Sequence, residues 1–212
     1  GAYRLLSNDE VDPQAILAPH KMVTRQQCAG HKVILCVQDT TQLDFTLRTG
    51  MQGLGIIGDG KGRGLMQHAA LAVLPDKRLL GILDMAWHAM EPVPEGETRR
   101  QRQGRWTERY LWHEAAQRIG AWLEESQLIH VGDRHADLFR FMHEARLLGH
   151  GFVVRAMHDR HVDEASAHLW EKLLRQAPLG QMPVALGAQR DKGNRLKQLR
   201  AELTVPDAPC AH

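Results

Sequence analysis

A mixed β-sheet flanked by helices is what this sequence predicts, and three observations carry the prediction. Apolar, β-branched runs of strand length recur at 32–38, 65–73, 79–87, 128–132 and 151–155. Between the later runs lie 106–123 and 136–148, whose apolar residues recur three and four apart. A chain of 212 residues with 43% hydrophobic and 25% charged residues can bury a core, which sets general disorder aside. The order β-β-β-α-β-α-β over 32–157 gives an α/β sheet covered by helices.

The elements follow in chain order. Residues 1–20 read as short helical pieces with a break at 8–13, where Asp12 can cap a new helix and Pro13 occupy its first position. The run 32–38 is nearly continuously apolar, as in a central strand buried on both faces, and it delivers Asp39-Thr40-Thr41. A glycine-dense connection spans 50–64. The strands 65–73 and 79–87 are joined by Pro75-Asp76-Lys77, a hairpin turn. Residues 91–104 hold prolines, glutamates and arginines and read as an exposed loop. Leu111, Ala115, Ile119 and Trp122 form the apolar stripe of the first long helix. The strand 128–132 ends at Asp133, and Leu138, Phe141, Met142 and Ala145 line the next helix. Gly149 and Gly151 end that helix before the strand 151–155. Beyond, 165–175 reads as a helix, and 182–186 with 201–205 as strands of an inserted or partial subdomain. The domain reading is therefore a helical lead-in at 1–31, a core at 32–160 and an incomplete subdomain at 161–212.

Composition narrows function little. Lys and Arg number 27 against 25 Asp and Glu, so the net charge of +2 names no partner. Three cysteines, Cys28, Cys36 and Cys210, make no CxxC and no even framework, which suits a reducing compartment, with Cys36 an inert strand residue. No signal peptide and no apolar run of membrane-spanning length is visible. A start at Gly1 and an uncapped tail over 205–212 are what a truncated chain would show.

The most informative arrangement is a pair of carboxylates, each fed by an apolar strand: Val-Gln-Asp39-Thr-Thr and Val-Gly-Asp133-Arg-His-Ala-Asp137. Ligand sites in α/β sheets favour strand C-terminal ends. If the two strands are neighbours, Asp39 and Asp133 converge, and their repulsion calls for a cation. Oxygen donors without cysteine favour Mg²⁺, or Mn²⁺, over structural zinc. Turn chemistry or helix capping explains an Asp at either position equally simply. Asp137 reads as a helix-terminus or supporting carboxylate.

Other motifs carry less. Gly55-Ile-Ile-Gly58-Asp59-Gly60-Lys61 has the spacing of a phosphate loop, but Gly62 stands where a Ser or Thr hydroxyl should hold Mg²⁺. The segment is better read as a flexible loop that carries Lys61 and Arg63 toward a phosphate backbone, with His68 following it; a plain exposed turn is equally open. The histidines lack zinc spacing, and Ser126 and Ser166 occupy no nucleophile elbow. Two basic stretches, 99–109 and 190–200, could contact phosphates or be solvated faces. Arg155 ends its strand near the proposed pair.

Taken together, Gly-Ala-Tyr-Arg at the start, Gln-Asp39-Thr-Thr, the glycine loop leading to His68, Gly-Asp133-Arg-His-Ala-Asp137 and Phe-Val-Val-Arg155 resemble the bacterial cut-and-paste DDE transposases of the transposon five type. The likeness covers about residues 1–160, the remainder only loosely. It implies a ribonuclease H-like catalytic domain with an inserted β-containing subdomain. It also implies a synaptic homodimer acting on double-stranded DNA at transposon ends and on target DNA, with divalent metals held by two aspartates and a glutamate. Carried over by motif, Asp39 and Asp133 match the two aspartates, and Arg134 and Arg155 match positions near the DNA. The family's third acid lies in a Tyr, Arg, Glu and Lys signature that is absent here, and Glu164, Glu171 and Glu202 have the wrong surroundings. The expectation is thus a central piece of such an enzyme, bacterial and cytoplasmic, lacking full activity. Its alternatives are another ribonuclease H-like nuclease with its third carboxylate elsewhere, or a DNA-binding remnant that pairs with a full-length transposase.

Overall fold

The computed structural model describes residues 1, 4–5, 7–162, 168–190 and 196–206, giving the backbone alone for 102–104, 178–190 and 196–206. The chain forms two compact units, Gly1–Met157 and His158–His212. The first is a mixed sheet with helices packed on it. Its strands are β1 (Val33–Asp44), β2 (Gly55–Ile57), β3 (Gly62–Val73), β4 (Leu79–His88), β5 (Gln127–Gly132) and β6 (Gly151–Val154). Across the sheet the path runs β2-β3-β1-β5-β6, and β4 shares the outer edge of β3 with β2.

The sheet changes character at β1. On one side β1 pairs antiparallel with β3 from Leu35↔Val73 to Asp44↔Gly64. On the other it pairs parallel with β5 from Val33↔Gln127 only to Val37↔Val131, and β6 continues the parallel side to Gly132↔Val154. β1 therefore runs well past Asp39, further than the apolar run predicts, because the β3 ladder continues where the β5 ladder stops. The predicted 65–73 and 79–87 strands are present as β3 and β4. The turn between them carries Lys77 at φ 74, with Lys77 N donating to Leu74 O at 2.8 Å.

Three helices cover one face: α1 (Pro13–Cys28), α3 (Arg109–Ile119) and α4 (Phe139–Leu147). Between β4 and α3 lies the shorter α2 (Arg99–Gly104). The core shows which face it is. Ile34 and Cys36 of β1, Ala70 and Ala72 of β3 and Leu128 of β5 cluster with Cys28 of α1 and Ile119 of α3. Trp112 of α3 packs with Phe141 of α4, and Phe141 meets the ring of His130 on β5 at 5.5 Å. The alternating residues Leu35, Val37, Leu71, Ile129 and Val131 are only half-buried, and Val153 is 62% exposed. β1 was expected to be buried on both faces; α1, α3 and α4 all pack on the same one.

Helix α1 begins as predicted, with Asp12 accepting from Gln14 N at 2.9 Å and Pro13 in the first turn. It then runs on through Pro19 to Cys28, longer than the expected short pieces. Tertiary contacts hold it: Lys21 Nζ lies 2.9 Å from Asp84 Oδ1, and Arg25 donates to the Ile119 and Ala121 carbonyls while lying over Trp122. Packing of an amphipathic face outweighs local propensity there. Asp84 is fully buried on β4 and also meets Arg118 of α3 at 2.9 Å, so it ties two helices to the sheet. Residues 91–104, expected as a loop, contain α2 under a capping box made by Thr98 and Gln101.

The second unit holds a short helix, α5 (Leu169–Leu174), and an antiparallel hairpin, β7 (Pro178–Arg190) with β8 (Leu196–Pro206). The expected strands 182–186 and 201–205 fall inside these longer ones. Of the expected helix 165–175, residues 165–167, with Ser166, lie outside the described residues, as do Glu164 and Cys210.

Candidate metal and nucleic-acid site

The parallel ladder sets the geometry of the site. The last β1–β5 pair is Val37↔Val131, so two further steps along each strand reach Asp39 and Asp133 at one level of the sheet. The last β5–β6 pair is Gly132↔Val154, and one step more reaches Arg155, whose N–H donates to Gly132 O at 3.3 Å. Asp39, Asp133 and Arg155 thus stand in a row across three adjacent parallel strands, whose spacing is about 4.8 Å. All three are exposed. Residues alternate between faces along a strand; Gln38 is buried on the helix side and Asp39 is exposed on the other.

Each carboxylate keeps part of its capacity for a ligand. Asp39 Oδ1 accepts from Thr40 N at 2.8 Å. Asp133 caps a 3₁₀ turn, Arg134–Ala136: its Oδ1 accepts from His135 N at 2.7 Å, and its Oδ2 lies 3.3 Å from His135 Nδ1. The capping explanation left open by the sequence is therefore real at Asp133, and its side chain is still 49% exposed. Gly132 serves close packing, since a Cβ there would stand 2.4 Å from Ala136 Cβ and 2.8 Å from Trp112 Cζ3. Asp137 turns the other way: it is buried and accepts from Met157 N at 2.7 Å, a supporting carboxylate that tethers the chain after β6.

A further carboxylate that sequence reasoning passed over feels the charge of both aspartates without forming a metal-holding group with them. Glu108 precedes the first turn of α3. Burial raises its pKa, the charge of His135 lowers it, and repulsion from Asp133 and Asp39 raises it further. The available signal was its place at a helix start, but nothing local links position 108 to positions 39 and 133. Among the described residues, no group of three or more His, Cys, Asp or Glu is arranged to hold a metal ion.

The expected nucleic-acid contacts fall in three places. Arg155 and Arg134 are exposed beside the carboxylate pair. Lys61 and Arg63 are exposed at the start of β3; Lys61 Nζ lies 3.7 Å from Asp59, and Arg63 donates to Met51 O. Gly64 pairs with Asp44, so Arg63 is about 20 Å along the sheet from the level of Asp39 and Ala69. His68 is fully buried, with both ring nitrogens bonded, and has no surface to offer a phosphate. Of the 99–109 arginines, Arg105 is paired with Glu97 at 2.7 Å. In the stretch 190–200, residues 191–195 lie outside the described residues.

His68 instead belongs to a polar chain threading the helix-covered side of the sheet. Thr40 Oγ1 lies 2.8 Å from His68 Nδ1, and His68 Nε2 lies 3.0 Å from Gln38 Oε1. Gln38 Nε2 lies 2.5 Å from His130 Nδ1, and His130 Nε2 lies 3.0 Å from His150 Nδ1. Burial, foremost, lowers His68 to about 4 and His130 to about 3, so both rings are neutral. His150 is lowered for the same reason. Cys36 beside them is pushed up by burial to about 12, an inert thiol as expected.

No family model matches the chain. Among the described residues no helix is long and apolar enough to cross a membrane.

Proposed function

We propose that this chain is the core of a metal-dependent DNA-processing enzyme of the DDE transposase kind, in which Asp39 and Asp133 hold Mg²⁺ or Mn²⁺. The carrying observation is the register that brings these exposed carboxylates to one level on adjacent parallel strands. Strand order and direction support a ribonuclease H-like reading: β4, β3 and β1 are antiparallel, and β5 and β6 continue parallel to β1. The donor set is all oxygen, open to solvent and adaptable, as Mg²⁺ and Mn²⁺ require. When bound, such ions activate an attacking oxygen and stabilise the leaving one. Asp39 and Asp133 orient the ions, while Arg155 and Arg134 receive the phosphate without reading its bases. The partner is double-stranded DNA at the ends of a mobile element, then target DNA, with a second copy of the protein completing the assembly in a bacterial cytoplasm.

With two placed carboxylates and no family-type third, the chain binds metal and DNA but does not complete strand transfer. An end-labelled duplex, titrated with and without Mg²⁺, checks this. The expected result is salt-sensitive binding strengthened by Mg²⁺, without joined products. Binding indifferent to both salt and Mg²⁺ would refute the proposal, and robust strand transfer would refute the incompleteness.

A further inference from the structure

We infer that the buried chain Thr40–His68–Gln38–His130 is a positioning device that holds Asp39 and Asp133 at the separation a divalent ion needs. The inference rests on the metal reading above and adds residues that never touch the metal. Gln38 and Thr40 flank Asp39 directly, and both turn toward the helix-covered side. The Gln38 carboxamide spans three strands, meeting His68 on β3 with one end and His130 on β5 with the other. Thr40 adds a second tie to the same His68 ring. The backbone at Asp39 is therefore fixed from both sides, and strand alternation aims its carboxylate at the opposite face.

The same tie reaches the partner carboxylate. His130 lies three residues before Asp133 on β5, and its ring is wedged against Phe141 of α4. His68 is held in turn by Trp112 of α3, ring centroids 4.9 Å apart. Ordinary sheet hydrogen bonds between β1 and β5 stop at Val37↔Val131, short of both aspartates. Gln38, one residue past that point on β1, adds a side-chain link back to His130 on β5. With the amide in this orientation, Gln38 Oε1 accepts from His68 Nε2–H, so His68 Nδ1 accepts from the Thr40 hydroxyl. Gln38 Nε2 donates to His130 Nδ1, so His130 Nε2–H donates to His150. His68 and His130, each with both ring nitrogens bonded, are thereby restricted to one tautomer, and a buried polar network paired in this way specifies one arrangement where an apolar core would allow several. Supporting residues of metal sites lower affinity about 10-fold or more when removed.

The test is Mn²⁺ binding to the full chain, followed by the loss of the free Mn²⁺ electron paramagnetic resonance signal. The variants are His68→Leu, His68→Gln, Thr40→Val and Asp39→Asn, each checked for folding by circular dichroism. His68→Leu is expected to fold and to bind Mn²⁺ about 10-fold more weakly. His68→Gln, which keeps a polar group where Nε2 meets Gln38, is expected to restore most of the affinity. Thr40→Val removes one peripheral bond at nearly constant volume, so it gives the answer if His68→Leu does not fold; a several-fold loss is expected. Wild-type affinity in folded His68→Leu, or in Thr40→Val, alongside a clear loss in Asp39→Asn, overturns the positioning inference and leaves the metal reading standing. Wild-type affinity in Asp39→Asn overturns the metal reading and the inference with it.

Discussion

The two faces of the central sheet are made from the same strands and have opposite chemistry. On the helix-covered face, Ile34, Cys36, Gln38, Leu128 and His130 are buried, and the polar ones among them are bonded to one another. On the other face, Leu35, Val37, Ile129 and Val131 are half-buried, and the strands continue into the exposed Asp39 and Asp133. Stability is concentrated on one side and candidate chemistry at the open end of the other. A two-residue alternation allows this, since neighbours in sequence serve different faces. The difference predicts that changes on the covered face act on folding, with the Thr40–His68–Gln38–His130 chain acting on ligand binding as well, and that changes on the open face act on ligand binding alone.

Acid should break the covered face first and most. His68 and His130 have folded pKa values near 4 and near 3, below about 6.5 for an unfolded histidine. The unfolded chain therefore binds more protons in that window, and stability falls as pH drops from about 6.5 toward 4. Each ring contributes about 1.4 kcal/mol per pH unit there. Urea unfolding at pH 7 and pH 5 should give a clearly lower midpoint at pH 5; equal midpoints would mean that these rings are not buried neutral.

Asp84→Ala comes next. It leaves Lys21 and Arg118 facing a buried vacancy between α1, β4 and α3 and is expected to cost about 3 kcal/mol in denaturant unfolding. Gly132→Ala sharpens the comparison, because it lies where the two faces meet. Its methyl group would collide with Ala136 and Trp112, for an expected loss of about 2 kcal/mol. It should also weaken Mn²⁺ binding by displacing Asp133. Smallest in stability are Asp39→Asn and Asp133→Asn, both exposed, each expected within about 0.5 kcal/mol of the parent in the same unfolding experiment.

Much of this architecture was legible because hydrophobic periodicity is a local signal. β3, β4, β5, α3 and α4 appear where their apolar residues recur, although α3 is shorter than the 106–123 pattern: it ends at Ile119 because Gly120 at φ 65 breaks it, which leaves Trp122 beyond the helix. Three features were not legible, each for a physical reason. The extension of β1 to Asp44 depends on a partner strand distant in sequence, since the Thr41 to Asp44 stretch has no apolar run of its own. The continuation of α1 through Pro19 depends on ion pairs and packing made only in the folded unit. The α2 capping box was present as Thr98 and Gln101, but proline and charge around it outweighed that cue. At the site, the Asp39 and Asp133 motifs could be read, and the neutral role of His68 could not: a lone histidine after a glycine loop looks like a phosphate contact until its depth is known. Glu108 was hidden for the opposite reason, since only the fold exposes the start of α3 to the charge of both aspartates.

The most direct measurement is calorimetric titration of Mn²⁺ into the parent chain, Asp39→Asn, Asp133→Asn and the double variant. If one ion is shared between the two carboxylates, each single variant loses most of the affinity and the double variant loses little more. Binding that survives in either single variant at the parental level would contradict the shared site.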